Sequence, residues 1–119
     1  MDVGGSHGEY SIAVAQRFPS MKCIVQDLPN VIGRAESLLP SDLKDRVSFM
    51  AHDFFQPQPV KEAAVYLLRW ILHDWSDTYA IRILRALIPA LGRGSKILLH
   101  EYILPEPGER PTVQDRTLR

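Results

Sequence analysis

The sequence predicts an α/β fold with a parallel sheet, on three observations. Strand-like runs alternate with stretches of helical period along most of the chain. One run, "AAVYLLRW" (63–70), is apolar on both faces, as expected of a parallel strand covered on both sides. The residues able to do chemistry fall where strands give way to loops, the carboxyl edge at which open parallel sheets bind ligands.

The elements follow in order. "EYSIAVAQRF" (9–18) puts Ile12, Ala15 and Phe18 on one helical face, directly after a glycine cluster. "MKCIVQD" (21–27) reads as a short strand ending in an acid. Pro29 suits the first turn of a helix, which Val31, Ile32, Ala35, Leu38 and Leu39 continue. "LPSDLKDR" is a polar loop and "VSFMAHD" (47–53) a strand. The two prolines of "FFQPQPVKE" then interrupt any regular element. After the strand at 63–70, "HDWSD" is a loop in which Ser76 or Asp77 can cap the helix "TYAIRILRALIPAL". That helix is expected to bury Ile81, Leu84, Ile88 and Leu91, with Pro89 distorting its last turn. "GRGS" turns the chain into "KILLHEYIL", read as a last buried strand. One domain, 1–105, results. Residues 106–119 show no clear period and read as a loop or poorly ordered tail.

Composition narrows the function classes. Fourteen basic and fourteen acidic residues cancel, so no overall field draws the 119-residue chain to nucleic acid or an anionic membrane. The longest apolar run is far too short to span a bilayer, and no leader-like segment opens the sequence. A single cysteine, Cys23, precludes an internal disulfide. The expectation is a cytoplasmic, soluble protein. His7, His52 and His100 lack metal-ligand spacing, so no metal is expected.

Four places carry candidate chemistry. "DVGGSHG" has glycines at 4, 5 and 8, which fit the dinucleotide pattern G-x-G-x-x-G poorly. They fit D-x-G-x-G-x-G better, with Ser6 in place of the middle glycine; a plain strand-to-helix turn is the bland alternative. Asp27 could accept both hydroxyls of a ribose or cap the helix after Pro29. Asp53 with Phe54 could read an adenine amine and cover its ring, or could be a loop acid beside core aromatics. In "LLRWILHDWSD" (67–77), His73 titrates near neutrality and could take a proton from a phenol, although a lone loop histidine is more often structural. Arg69 could pair with a carboxylate of a bound cofactor or with a surface acid. If the last strand neighbours the one carrying His73, Glu101 could fix the imidazole tautomer. Otherwise Glu101 is a solvated strand-end acid.

Taken together, "DVGGSHGEYSIAVAQRFPSMKCIVQDLPNVI", "AHDFFQP", "YLLRWILHDWSD" and "KILLHEYILPEPGE" resemble the S-adenosylmethionine-dependent O-methyltransferases of the caffeate/flavonoid type, closest to fungal secondary-metabolite members. The resemblance implies a partial Rossmann-like methyltransferase fold. It assigns Gly4, Gly5 and Gly8 to the methionine part of S-adenosylmethionine, Asp27 to the ribose, and Asp53 with Phe54 to the adenine. Arg69 stands where the family usually has a cofactor-contacting lysine. His73 becomes the general base, flanked by Glu101, and S-adenosylhomocysteine the product, with no metal required. The acceptor would be a small hydroxylated aromatic or polyketide-like molecule.

The resemblance also implies departures. The family's central first strand is reduced here to Met1, Asp2 and Val3, which is expected to leave ladder groups unpaired on both sides. The family's N-terminal dimerisation domain and its C-terminal hairpin are expected to lie outside this sequence. Two other readings stay open: a non-catalytic remnant that binds cofactor or pairs with an intact homologue, and a nicotinamide dehydrogenase disfavoured by the glycine spacing.

Overall fold

The computed structural model describes residues 1–101. The reading of 106–119 as a tail, and the domain limit at 105, lie outside the described residues. The elements are β1 (Asp2–Val3), α1 (Glu9–Arg17), β2 (Cys23–Asp27), α2 (Pro29–Leu38), β3 (Val47–Ala51), β4 (Val65–Arg69), α3 (Asp77–Leu87) and β5 (Lys96–His100). The strands form one parallel sheet in the order β3-β2-β1-β4-β5. Chain order therefore reverses direction between β1 and β4. In a parallel sheet that reversal opens a crevice at the carboxyl ends of the strands.

Short as it is, β1 occupies the centre and joins both halves. Asp2 and Val3 stand beside Val25 and Gln26 of β2, and Asp2 beside Leu67 of β4. The Met1 ammonium donates to the Val65 carbonyl at 2.9 Å and the Leu67 N–H donates to the Met1 carbonyl at 2.8 Å. On the other side the Gly5 N–H donates to the Gln26 carbonyl at 3.0 Å. The ladder groups at this level are paired in both directions.

Strand alternation sends side chains to two faces, and each face has its own core. Val3, Tyr66 and Leu68 pack with Ile83, Leu87 and Ala90 from α3 and the turn after it. Ala15, Val25, Leu43 and Val47 form the other cluster under α1. Tyr66 is fully buried, and its hydroxyl donates to the Val60 carbonyl at 2.7 Å while accepting from the Ala63 N–H at 3.1 Å. That satisfies the phenol and ties the proline-broken stretch to β4. Arg46 does similar work across the sheet, its guanidinium donating to the carbonyls of Ala15 and Phe18 at the end of α1.

Several expectations need correction. α3 buries Ile83 and Leu87, whereas Ile81 and Ile88 are about half exposed. Apolar residues occur on two overlapping stripes of this helix, and the sheet selects the one that meets Val3 and Leu68. Pro89 does end the helix, which tightens into a 3₁₀ turn over Ile88–Ala90. Phe18 and Leu38 face outward rather than inward, since each lies at the end of its helix, past the sheet's cover. β5 is not a buried strand: Leu98 and Leu99, on opposite faces, are 50% and 55% exposed. Among the described residues β5 has a neighbour on one side only.

Candidate active site

The glycine turn closes over the carboxyl end of β1. Gly4 takes φ 69°, and a Cβ there would meet Ile71 Cδ1 at 2.8 Å and the Phe54 ring at 3.2 Å. Position 4 therefore needs glycine for both conformation and space. Gly5 is constrained from below, because a Cβ would lie 2.5 Å from Cγ of Asp2. Gly8 stands at the N-cap of α1. Ser6, at the site of the missing middle glycine, also adopts a left-handed conformation, φ 54°. For a residue with a side chain this costs roughly 1–2 kcal/mol. The Ser6 N–H donates to Asp27 Oδ2 at 2.8 Å, which holds the turn against the end of β2.

Two cavities flank this turn and meet at Gly4. The first, about 260 Å³, is lined by Asp2, Gly4, Gly5, Tyr10, Arg69 and Ile71, among others. Asp2 is almost wholly buried and accepts from the Ser11 hydroxyl at 2.7 Å. Burial pushes its carboxyl pKa above the ordinary value, an effect opposed by that hydrogen bond. The Arg69 guanidinium carbon lies 3.9 Å from the Trp70 ring centroid and 5.0 Å from that of Tyr10. Its Nε is buried with no hydrogen-bond partner among the described residues. A cation so placed, with donor capacity left over, suits a carboxylate entering the cavity. The chain leaves β4 through Trp70 at φ 55°, left-handed like Ser6.

The second cavity, about 290 Å³, is lined by Gly4, Asp27, Leu28, His52, Asp53, Phe54, Phe55 and Trp75. Asp27 Oδ1 accepts from the Leu28 N–H at 2.8 Å. Its carboxylate makes no cap bond to α2, whose N-cap position is Leu28. Each Asp27 oxygen keeps lone-pair capacity for a hydroxyl in the cavity. Asp53 Oδ1 accepts from the Phe55 N–H at 2.9 Å, leaving Oδ2 available. Phe54, Phe55, Trp75 and Tyr79 form an edge-to-face cluster at the rim.

The third component stands beyond β4. Parallel pairing places Arg69 beside His100, so the residues that follow both strands emerge together. Glu101, 14% exposed at its side chain, accepts from the N–H groups of Ile71 (3.1 Å) and Leu72 (2.8 Å) through Oε1. Oε2 lies 2.9 Å from Nδ1 of His73. The 3₁₀ turn Leu72–Asp74 presents the ring, and Nε2 faces Asp74 Oδ1 at 3.1 Å. Ionised Glu101 and Asp74 can only accept, so in this geometry Nδ1 donates to Glu101 and Nε2 to Asp74, and Nε2 is free to take a proton only where Asp74 has moved away. Asp74 is 68% exposed and readily displaced from it.

All nine candidate residues therefore gather at one edge of the sheet. Gly4, Gly5 and Arg69 line the first cavity, Gly4, Asp27, Asp53 and Phe54 the second, and His73 with Glu101 stands outside both. Gly8 lies behind, against Phe49. The sequence reading missed Asp2, Tyr10, His52 and Trp75 as lining residues. For Asp2 the D-x-G spacing was a usable signal. The others are brought in by tertiary packing alone. Among the described residues, no group of three or more His, Cys, Asp or Glu side chains could hold a metal ion, and no helix is long and apolar enough to cross a membrane.

Known proteins resemble this chain in sequence and fold. A family model of the O-methyltransferase domain matches residues 1–117. The chain is 50% identical over 121 residues to the grayanic acid biosynthesis cluster O-methyltransferase of Cladonia grayi, with 100% of this chain and 27% of that protein covered. Among solved structures, LepI in complex with SAM matches with a TM-score of 0.83 at 37% identity, covering 92% of this chain and 28% of its own. The mitomycin 7-O-methyltransferase MmcR matches at 0.82 and 32% identity, covering 98% and 34%. The chain thus spans about a third or less of the length of each of these proteins. With the fold, the order of its motifs and the match over residues 1–117 in agreement, the chain belongs to the O-methyltransferase domain family.

Proposed function

We propose that this chain is the cofactor-binding and base-bearing core of an S-adenosylmethionine-dependent O-methyltransferase, acting on a hydroxyl of a small aromatic or polyketide-like acceptor. The observation that carries the reading is the His73–Glu101 pair at 2.9 Å, set at the edge of two cavities that meet at Gly4. LepI, similar over 92% of the chain, is a SAM complex, which supports the same ligand here.

The geometry supports the following roles. Gly4 and Gly5 let the backbone approach the methionine part, and the Arg69 guanidinium, which lines the first cavity, pairs with its carboxylate. Gly8 opens α1 behind them. Asp27 takes the ribose hydroxyls, while Asp53 and Phe54 hold the adenine amine and ring face. The cofactor supplies a methyl group on a sulfonium, an electrophile already activated. Glu101, pinned by two backbone N–H groups, keeps the His73 proton on Nδ1. The acceptor hydroxyl would replace Asp74 at Nε2 and give its proton to the ring, while its oxygen would take the methyl carbon from the sulfur, the C–S bond breaking so that S-adenosylhomocysteine leaves as the neutral thioether. The remaining requirement is alignment, which the rigid strand ends provide.

The reading carries with it a cytoplasmic setting and no nucleic-acid partner. A second reading, a cofactor binder in which His73 stays idle, draws on the Asp74 contact at Nε2. Incubation with methyl-labelled S-adenosylmethionine and a panel of phenols separates the two. A labelled methyl ether is the expected product. Binding without transfer to any phenol would favour the idle-histidine reading.

A further inference from the structure

His52 follows β3 directly, and its N–H donates to the Asp27 carbonyl at 2.9 Å. It lines the second cavity together with Asp27, Leu28, Asp53 and Phe54. It also borders a hollow of about 10 Å³ closed by Gln56, Gln58, Ile83 and Leu87. That hollow is no larger than one water requires, so the space available to the ring's polar edge is the larger cavity. The charged groups sharing that cavity are Asp53, from its own loop, and Asp27, from the end of β2. The neighbours from α3 are apolar and the two glutamines are neutral.

The acceptor capacity of those carboxylates is limited. Both oxygens of Asp27 and one of Asp53 already accept backbone N–H groups. A nucleoside depends on the lone pairs that remain. A neutral imidazole can donate through one nitrogen and accept through the other, whereas an imidazolium only donates and would compete for the same carboxylates.

We propose that His52 is a nucleoside-contacting residue: neutral, it offers the adenosine part a hydrogen bond beside Asp27 and Asp53, and protonated, it turns onto those carboxylates and closes the site. This rests on the cofactor reading of the cavity. Burial pushes the His52 pKa below its ordinary value, partly opposed by Asp53. The binding-competent neutral form therefore prevails above that depressed pKa, and affinity falls as pH drops through it.

The test is calorimetric titration of the folded chain with S-adenosylhomocysteine at pH 8 and pH 5.5, using wild type, His52→Gln and His52→Ala, each checked for a cooperative melt. Wild-type affinity is expected to fall several-fold between the two pH values. The fall should stay under the roughly tenfold of an unshifted imidazole one unit below its reference value near 6.5. His52→Gln keeps a hydrogen-bonding group that does not titrate, and should bind more tightly than His52→Ala at pH 8 and without the pH slope. His52→Ala should bind more weakly at pH 8, also without the slope. A wild-type slope retained in His52→Gln would place the titration elsewhere, and unchanged affinity of His52→Ala at pH 8 would remove the contact. Either result overturns the proposal. If folded wild type fails to bind at pH 8, the cofactor reading itself is what fails.

Discussion

Replacing His73 by alanine is expected to lower methyl transfer by about 10²–10⁴-fold, the usual contribution of a positioned general base, while leaving S-adenosylhomocysteine affinity unchanged. The separation of the two effects follows from placement. His73 lines neither cavity, and among the described residues its ring is bonded to Glu101 and Asp74. Removing its ring takes away the proton acceptor without touching the turn at Gly4 or the carboxylates of Asp27 and Asp53. Single-turnover rates with a responsive phenol, alongside a binding titration, read the two quantities separately. A variant with undiminished turnover would end the base assignment. A variant that lost cofactor affinity in parallel would mean that the ring supports the loop rather than the chemistry.

The second large effect is expected at Asp27. Alanine there removes both proposed ribose hydrogen bonds, each to a charged acceptor and worth about 1.5–3 kcal/mol. It also releases the Ser6 and Leu28 N–H groups from their partner. Affinity for S-adenosylhomocysteine should fall by more than about 10²-fold, with the melt little changed because Asp27 lies at a strand end rather than in either core. Asp27→Asn is the informative companion: it keeps the size and one acceptor, and should recover part of the loss. Full affinity in Asp27→Ala would show that the ribose is held elsewhere.

Much of this site is legible in the sequence because strand ends place it. Once β4 and β5 are read as parallel strands, the residues just past each must emerge side by side. The 2.9 Å approach of Glu101 to His73 is the outcome. Ser6 likewise adopts the left-handed conformation that a glycine at the substituted position of the pattern would take. What sequence could not supply is tertiary choice. The apolar residues of "TYAIRILRALIPAL" form two stripes at helical spacing, and nothing local decides that Ile83 and Leu87 meet the sheet while Ile81 and Ile88 do not. The run "KILLH" reads the same for an edge strand as for an interior one, so the exposure of Leu98 and Leu99 was hidden. Nor does a three-residue stretch announce a central strand. It serves because the backbone groups of Met1 and Gly5 reach β4 and β2 beyond the strand proper. His52 and Trp75 became lining residues only through the packing of two separate loops around Phe54 and Phe55.

The account's central claim is that the paired cavities at the carboxyl edge hold S-adenosylmethionine. The most direct measurement is calorimetric titration of the 119-residue chain with S-adenosylhomocysteine at pH 8, with circular dichroism melts before and after and NAD as competitor. One-site binding in the micromolar range, a higher melting temperature with ligand and no displacement by NAD are the predicted results. A cooperatively folded chain that takes up no S-adenosylhomocysteine, or that surrenders it to NAD, would contradict the claim.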